Sequence, residues 1–404
     1  MSSNSESTSR ATAPQAHEPI QLSLGFWTVL AAVLVVIGLA GFFLALWMGL
    51  AARAWQAYLV NLLFWTSIAQ GGVIVSTAFY LSQGRWAGPA QYRLAEMFVG
   101  FIPLGFLLFW GMWAGRAAIF PWVLHPVALK ASWLNAPFLF ARDGAGLLLL
   151  TLLSLWFVSA SRREVVREWA RTPHNIELPP NIMRRLSPAV ALCFAFVYSL
   201  LAFDLIMSLS PRWHSTLFGA WFFATAFWSG IVAMALTAII LQAVFGDRIV
   251  FFNRRVQHDL GKMVFAFSIF WVYLLFSQYL VIWYGDLPAE TFFIVRRSIM
   301  PWVPFSIAMI TLVWGLPFFV LLGVRPKRTP KILGTIALLG LVGIYLEDYV
   351  LTIPSLSPTV VPYGWVEAVV TIGFLGAFAL CAFPGLRRVI EAGSGPFAPT
   401  GELE

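Results

Sequence analysis

Several acids and bases sit where long apolar runs begin or end, and that placement is the first chemical signal in the chain. Asp204 lies inside one run, a few residues before Ser208-Leu209-Ser210-Pro211 breaks it. Arg142 and Asp143 lie near the start of another, Arg296 and Arg297 precede a third, and Glu347 and Asp348 approach the end of a fourth. A carboxyl at such depth is costly in lipid unless it faces a protein interior, a water cavity or an opposite charge. An arginine and an acid can share a low-dielectric site because each stabilises the other's charge, and such a carboxyl can take up and release protons. The expectation is two sites at one face of the membrane. One holds Asp204, Arg142 and Asp143, with His214 beside them; the other holds Arg297, Glu347 and Asp348. The competing reading is that both are structural ion pairs pinning helix ends.

Deeper polar groups are few. Gln70 is mid-run, and Gln278 follows Ser277 in another run. Glu96 and Lys262 occupy equivalent positions at the inner ends of the third and seventh runs. Glu96, Gln70, Gln278 and Lys262 are candidates for a proton path toward the acid clusters. The plainer alternative is that Gln and Ser bond between helices and hold a bundle together.

The chain builds no obvious redox centre of its own. Its five histidines, His17, His125, His174, His214 and His258, fall in loops or the N-terminal tail, whereas a membrane haem needs ligands from within helices. Two cysteines, Cys193 and Cys381, form neither a disulfide framework nor a cluster ligand set. No Cys-x-x-Cys-His and no Gly-x-Gly-x-x-Gly occurs. The expectation is no metal and no covalently held or ligated cofactor, so any electron transfer belongs to partner subunits.

The elements that must position these residues follow from composition. Of 404 residues, 60% are hydrophobic and only 11% charged, with a mean hydropathy of +0.80. So few charges could not solvate a soluble protein of this size, and an all-α polytopic membrane protein is expected. Runs long enough to span fall at about 24–50, 57–82, 94–118, 135–160, 187–209, 216–245, 263–284, 300–323, 332–351 and 363–385, each near the roughly 20 residues a transmembrane helix needs. They are continuous rather than alternating, which excludes a β-barrel. Most Lys and Arg residues, including Arg162, Arg163, Arg184, Arg185, Arg254, Arg255, Arg325, Lys327 and Arg328, fall on the side of the N-terminus. That bias puts both termini in the cytoplasm, and makes the net charge of +8 a topological signal rather than one for nucleic acid. Residues 1–20 and 391–404 read as cytoplasmic tails, 21–390 as one membrane domain, and 161–186 as its longest inner loop.

A weak internal repeat links spans two to five (about 57–209) with spans six to nine (about 216–351). Phe64-Trp65-Thr66-Ser67-Ile68 pairs with Phe227-Trp228-Ser229-Gly230-Ile231, and Leu94-Ala95-Glu96-Met97 with Leu260-Gly261-Lys262-Met263. Asp204 with Ser208-Leu209-Ser210-Pro211 pairs with Asp348 and Ser355-Leu356-Ser357-Pro358. An offset of four helices keeps both copies in the same direction, related by an axis along the membrane normal. Two parallel-repeat four-helix bundles are expected, with helices one and ten peripheral.

Two stretches carry a resemblance to a known family. One is Asp204-Leu205-Ile206-Met207-Ser208-Leu209, followed by Trp213 and Ser215-Thr216-Leu217-Phe218-Gly219. The other begins His258-Asp259-Leu260-Gly261-Lys262-Met263 and continues through Phe276-Ser277-Gln278-Tyr279 to Tyr284-Gly285-Asp286-Leu287-Pro288. Both resemble the NrfD-like (polysulfide-reductase type) integral membrane proteins of bacterial alternative complex III, most of all the smaller, ten-helix one. In that pattern a Trp follows the Asp; here Leu205 replaces it, and His214 stands where an aromatic is usual. The resemblance implies a subunit, not catalytic alone, of a quinol:electron-acceptor oxidoreductase in the bacterial cytoplasmic membrane. It implies quinone or menaquinone as ligand. The partners it implies are a sister NrfD-like membrane subunit, an iron–sulfur subunit, a c-type multihaem subunit, other small membrane subunits and lipid. The other classes compatible with the sequence are a secondary transporter with parallel repeats and a structural membrane anchor for an extrinsic redox enzyme.

Overall fold

The computed structural model describes residues 25–83, 87, 89–171, 181–246 and 254–394. The expected tail over 1–20, with His17, lies outside them, as do Arg85, His174, Arg248 and residues 395–404. Among the described residues the chain is helical without strands, and ten helices are long and apolar enough to cross a membrane: α1 (Gly25–Trp47), α2 (Ala51–Leu81), α3 (Gln91–Ile119), α4 (Ala136–Arg163), α5 (Ile182–Leu209), α6 (Leu217–Phe245), α7 (Arg254–Gly285), α8 (Val303–Val320), α9 (Pro330–Leu356) and α10 (Trp365–Glu391). Several extend beyond their apolar runs, because flanking Ala, Arg, Gln and Glu are good helix formers that keep the ladder going into water. The helix that contains α4 continues to Arg171, so the first part of the expected 161–186 loop is helical. Likewise the α10 helix runs on to Ser394, past the expected start of the C-terminal tail.

The packing centres on α2 and α6. These two helices touch along their length, and the approach is close enough that a Cβ on Gly71 would run into the Ala226 carbonyl and one on Gly230 into the Gly71 backbone. Small residues at a crossing let helices gain dispersion contacts that apolar lipid cannot drive by exclusion. Around this pair, α2 packs on α3, α3 on α4, α4 on α5, and α5 back on α2. In the same way α6 packs on α7, α7 on α8, α8 on α9, and α9 back on α6. The α5–α6 and α2–α9 contacts close the space between the two rings. α1 lies along α10, and α10 covers α2 and α3.

The helices that bear the candidate residues are not regular. α5 widens into a π-helical turn over Ala202–Ile206, then tightens into a 3-10 turn over Met207–Leu209. α8 contains a π-helical turn over Thr311–Gly315. Arg297 is not on α8 but on a separate short helix, Pro288–Ser298, which precedes it.

Candidate functional site

The π-helical turn sets Asp204 fully inside the protein. Arg142 of α4 meets it with two nitrogens, Nε to Oδ2 at 2.6 Å and Nη2 to Oδ1 at 2.5 Å. Trp133, in the connection before α4, donates its indole N–H to Oδ1 at 2.9 Å. The same indole lies 4.0 Å under the guanidinium, and Arg142 Nη1 bonds the Trp133 carbonyl at 3.0 Å. Asp204 is thereby held by a bidentate charge-assisted pair, the strongest common form of ionic contact. The loop is tied down in turn: Ser208 donates to the Asp204 carbonyl, Trp122 to Ser208, and Lys130 to the Pro211 carbonyl.

Asp143, the next residue along α4, is also fully buried. It lies beside Asp204, yet neither of its oxygens receives a hydrogen bond among the described residues. Two neighbouring carboxyls thus lie beside one guanidinium, which bonds only Asp204 of the two. His214, expected here, is instead exposed, and its Nε2 stands 3.7 Å from Glu290.

Asp143 begins a buried polar stripe. Ser154 and Ser161 follow it after about three and five helical turns, Thr151 lies on the flank of the same face, and all three are buried. Asp143 and Ser161 are about 27 Å apart at the α-helical rise, close to the roughly 30 Å of a bilayer's hydrocarbon core. α2 faces this stripe with Thr66, Gln70, Ser76 and Tyr80. Gln70 donates to Ser154 at 2.8 Å, and Tyr80 and Ser161 share a hydrogen bond of 3.1 Å. Glu96, fully buried on α3, accepts from Ser76 at 2.9 Å and pairs with Arg93 at 3.2 Å. Between the Asp204 end and Gln70 is a cavity of about 30 Å³, lined by Thr66, Gln70, Thr151 and Leu205 among others. That is room for water, and well below the roughly 150 Å³ that holds a single six-membered aromatic ring.

The second cluster is built differently. Glu347 is buried and accepts from Thr225 and from the Trp271 indole, both at 2.9 Å. Asp348 is buried beside it, with Oδ2 unpartnered among the described residues. The expected partnership of these acids with Arg297 is not formed. Arg297 bonds backbone instead: Nε to Val350 at 2.8 Å, Nη1 to Phe293 at 2.8 Å, and Nη2 to Leu351 at 2.6 Å, with Ser355 at 3.1 Å. The cause is Pro354 inside α9. Proline has no N–H to give the carbonyl four residues earlier, which is Val350, and its ring opens the helix there. The guanidinium fills that gap, stacked 3.4 Å from the Phe293 ring. Burial pushes the Arg297 guanidinium down from its ordinary value, with Arg296 adding to the effect, and the carbonyl cage offsets that cost.

Two proton-path candidates fall elsewhere. Lys262 is exposed and paired with Asp259, because its position on α7 lies on the outer face, one residue past the buried Gly261. Gln278 is buried with Oε1 unpartnered among the described residues. Sequence reasoning missed Trp133, Arg93, Ser154, Ser161, Thr225 and Trp271. The Arg93–Glu96 spacing and the Asp143–Thr151–Ser154–Ser161 stripe were available as signals. The Trp133 contact was not, since it joins a loop to a distant helix. No model of a known protein family matches the chain, and no curated protein matches it.

Proposed function

We propose that this chain is a membrane subunit of a quinol:electron-acceptor oxidoreductase of the alternative complex III type, and that its own task is to move protons. The observation that carries this is the buried polar file through α2–α5. It runs from Asp204 and Asp143, past the water-sized cavity and the Gln70–Ser154 bond, to Tyr80, Ser161 and Glu96. With the guanidinium committed to Asp204, a proton on Asp143 costs less than a second buried negative charge beside the first. Protonation there and release beside Asp204 is chemistry that a quinol-oxidising partner needs, since each quinol gives up protons as well as electrons. Quinone or menaquinone binds, on this reading, at the Asp204 end against partner subunits carrying iron–sulfur and c-haem centres, rather than inside the α2–α5 ring.

The topology fits the same scheme. The ends of the helices near Glu96 carry Arg93, Arg162, Arg184, Arg185, Arg254, Arg255, Arg325, Lys327 and Arg328, which favours that end as cytoplasmic in a bacterial inner membrane. The matching closed contacts of α2–α5 and α6–α9, with α2 and α6 at the centre, support a parallel repeat of two four-helix bundles. The halves then differ in use: the first is threaded by hydroxyls and amides, whereas in the second Arg297 serves the backbone and Glu347 and Asp348 have no basic partner among the described residues.

The test is proton release coupled to quinol oxidation by the assembled complex in liposomes. Asp204→Asn and Gln70→Leu should each lower the proton yield per electron while the complex stays assembled. An unchanged yield and turnover in both would leave α2–α5 a structural bundle.

A further inference from the structure

At the Glu96 end of α7 lies a basic cluster that the proton file does not use. Lys327, on the turn Val324–Lys327, is only 7% exposed. Its stem runs over Gly261, where an added Cβ would come within 2.9 Å of Lys327 Cβ. Its ammonium lies 4.5 Å from the centre of the Phe265 ring, one helical turn further into the span. Among the described residues no carboxylate pairs with it. Lys262, Arg328 and His258 surround the same spot, and burial with the charge of Lys262 pushes the Lys327 ammonium down from its usual value. The nearest acid, Asp259, is already taken by Lys262.

Two further groups are left waiting. Gln257 is fully buried, with neither its amide nitrogen nor its oxygen partnered among the described residues, and the buried Nδ1 of His258 has no partner either. Gln257 lies one turn before Gly261 on the same face of α7. A lysine held mostly out of water, a nearby second lysine and unspent buried donors form a costly arrangement that an anion would complete.

We propose that this cluster binds the phosphate of a membrane phospholipid, with Lys327 and Gln257 as its innermost donors. The setting favours a lipid over a free anion. α7 and α8 are among the spans least covered by the rest of the protein, so a lipid reaches the site from the side. Directly deeper, Phe265 stacks on Phe318, and Trp314 stacks on Phe318 in turn, an apolar surface for acyl chains below a headgroup. Basic pockets between spanning helices at the more positive surface are suited to anionic headgroups.

The full-length protein, extracted in mild detergent, would be examined by native mass spectrometry for retained phosphatidylglycerol, and by thermal shift on adding phosphatidylglycerol micelles or inorganic phosphate. Lys327→Met keeps the stem over Gly261 and should cut retained lipid about five- to tenfold, as expected for one lost charge contact at the headgroup level. Lys331→Met, on the exposed surface, should retain it, and Lys327→Arg should restore it. If Lys327→Met does not fold, Gln257→Leu tests the same cluster. Equal lipid retention in wild type and the foldable variant overturns the proposal. So does a thermal shift with inorganic phosphate as large as that with the phospholipid.

Discussion

Arg142 grips Asp204 through two nitrogens while Trp133 supports it from below and bonds the same carboxylate. Removing one member leaves the other charged and buried. Asp204→Ala should therefore lower stability by about 3–5 kcal/mol, read as a shifted unfolding midpoint in detergent. The double change Asp204→Ala with Arg142→Met should recover most of the loss, because it removes both charges together. Full additivity of the two single losses would mean that the pair is not the source of the cost. That Asp204 would need a cation was legible from its depth alone, and Arg142 was a natural partner. The same logic failed for Arg297, because a guanidinium has no preference for carboxylates over opened carbonyls until the local backbone is known. Lys262 failed for another reason. Matching it to Glu96 by motif ignored that one is at a buried position of α3 and the other on the outer surface of α7.

The elements explain where the reading of the sequence held. Ten apolar runs correspond to ten helices long and apolar enough to cross a membrane among the described residues, because continuous hydropathy of this length has one solution in lipid. Their ends moved because polar flanks remain helical in water, and the π-helical turn in α5 had no signature in hydropathy at all. Pro354 gives an element-level prediction. Arg297→Met should destabilise the native chain, since buried carbonyls left without donors cost about 1–3 kcal/mol each. In a Pro354→Ala background the helix supplies its own N–H to Val350, so Arg297→Met should cost less. A thermodynamic cycle on unfolding midpoints measures the difference, and equal costs in both backgrounds would sever the link between proline and arginine.

For the whole molecule, the charge bias predicts which ends face the cytoplasm. With Cys193 and Cys381 replaced by Ala, a cysteine at Arg328 should react with a membrane-impermeant maleimide only in inverted vesicles, and one at His214 only in intact cells with the outer membrane permeabilised. The reverse pattern would turn the proton file around and with it the direction of the proposed transfer. The two acid-bearing ends are also joined across the molecule. Ser210, past the end of α5, bonds Ser355 of α9 at 2.9 Å, and Ser355 bonds Arg297.

The widened turn at Ala202–Ile206 carries a consequence of its own. A π turn accommodates one residue more than an α turn would over the same rise, so the acid's direction depends on chain length as much as on chemistry. Deleting a single residue such as Leu201 would let the turn close to α-helical winding with the flanking segments of α5 kept in register, and the residues of the turn, Asp204 among them, would be redistributed about the axis by as much as roughly 100°. A carboxyl could survive every substitution around it and still be lost from the interior by one missing codon.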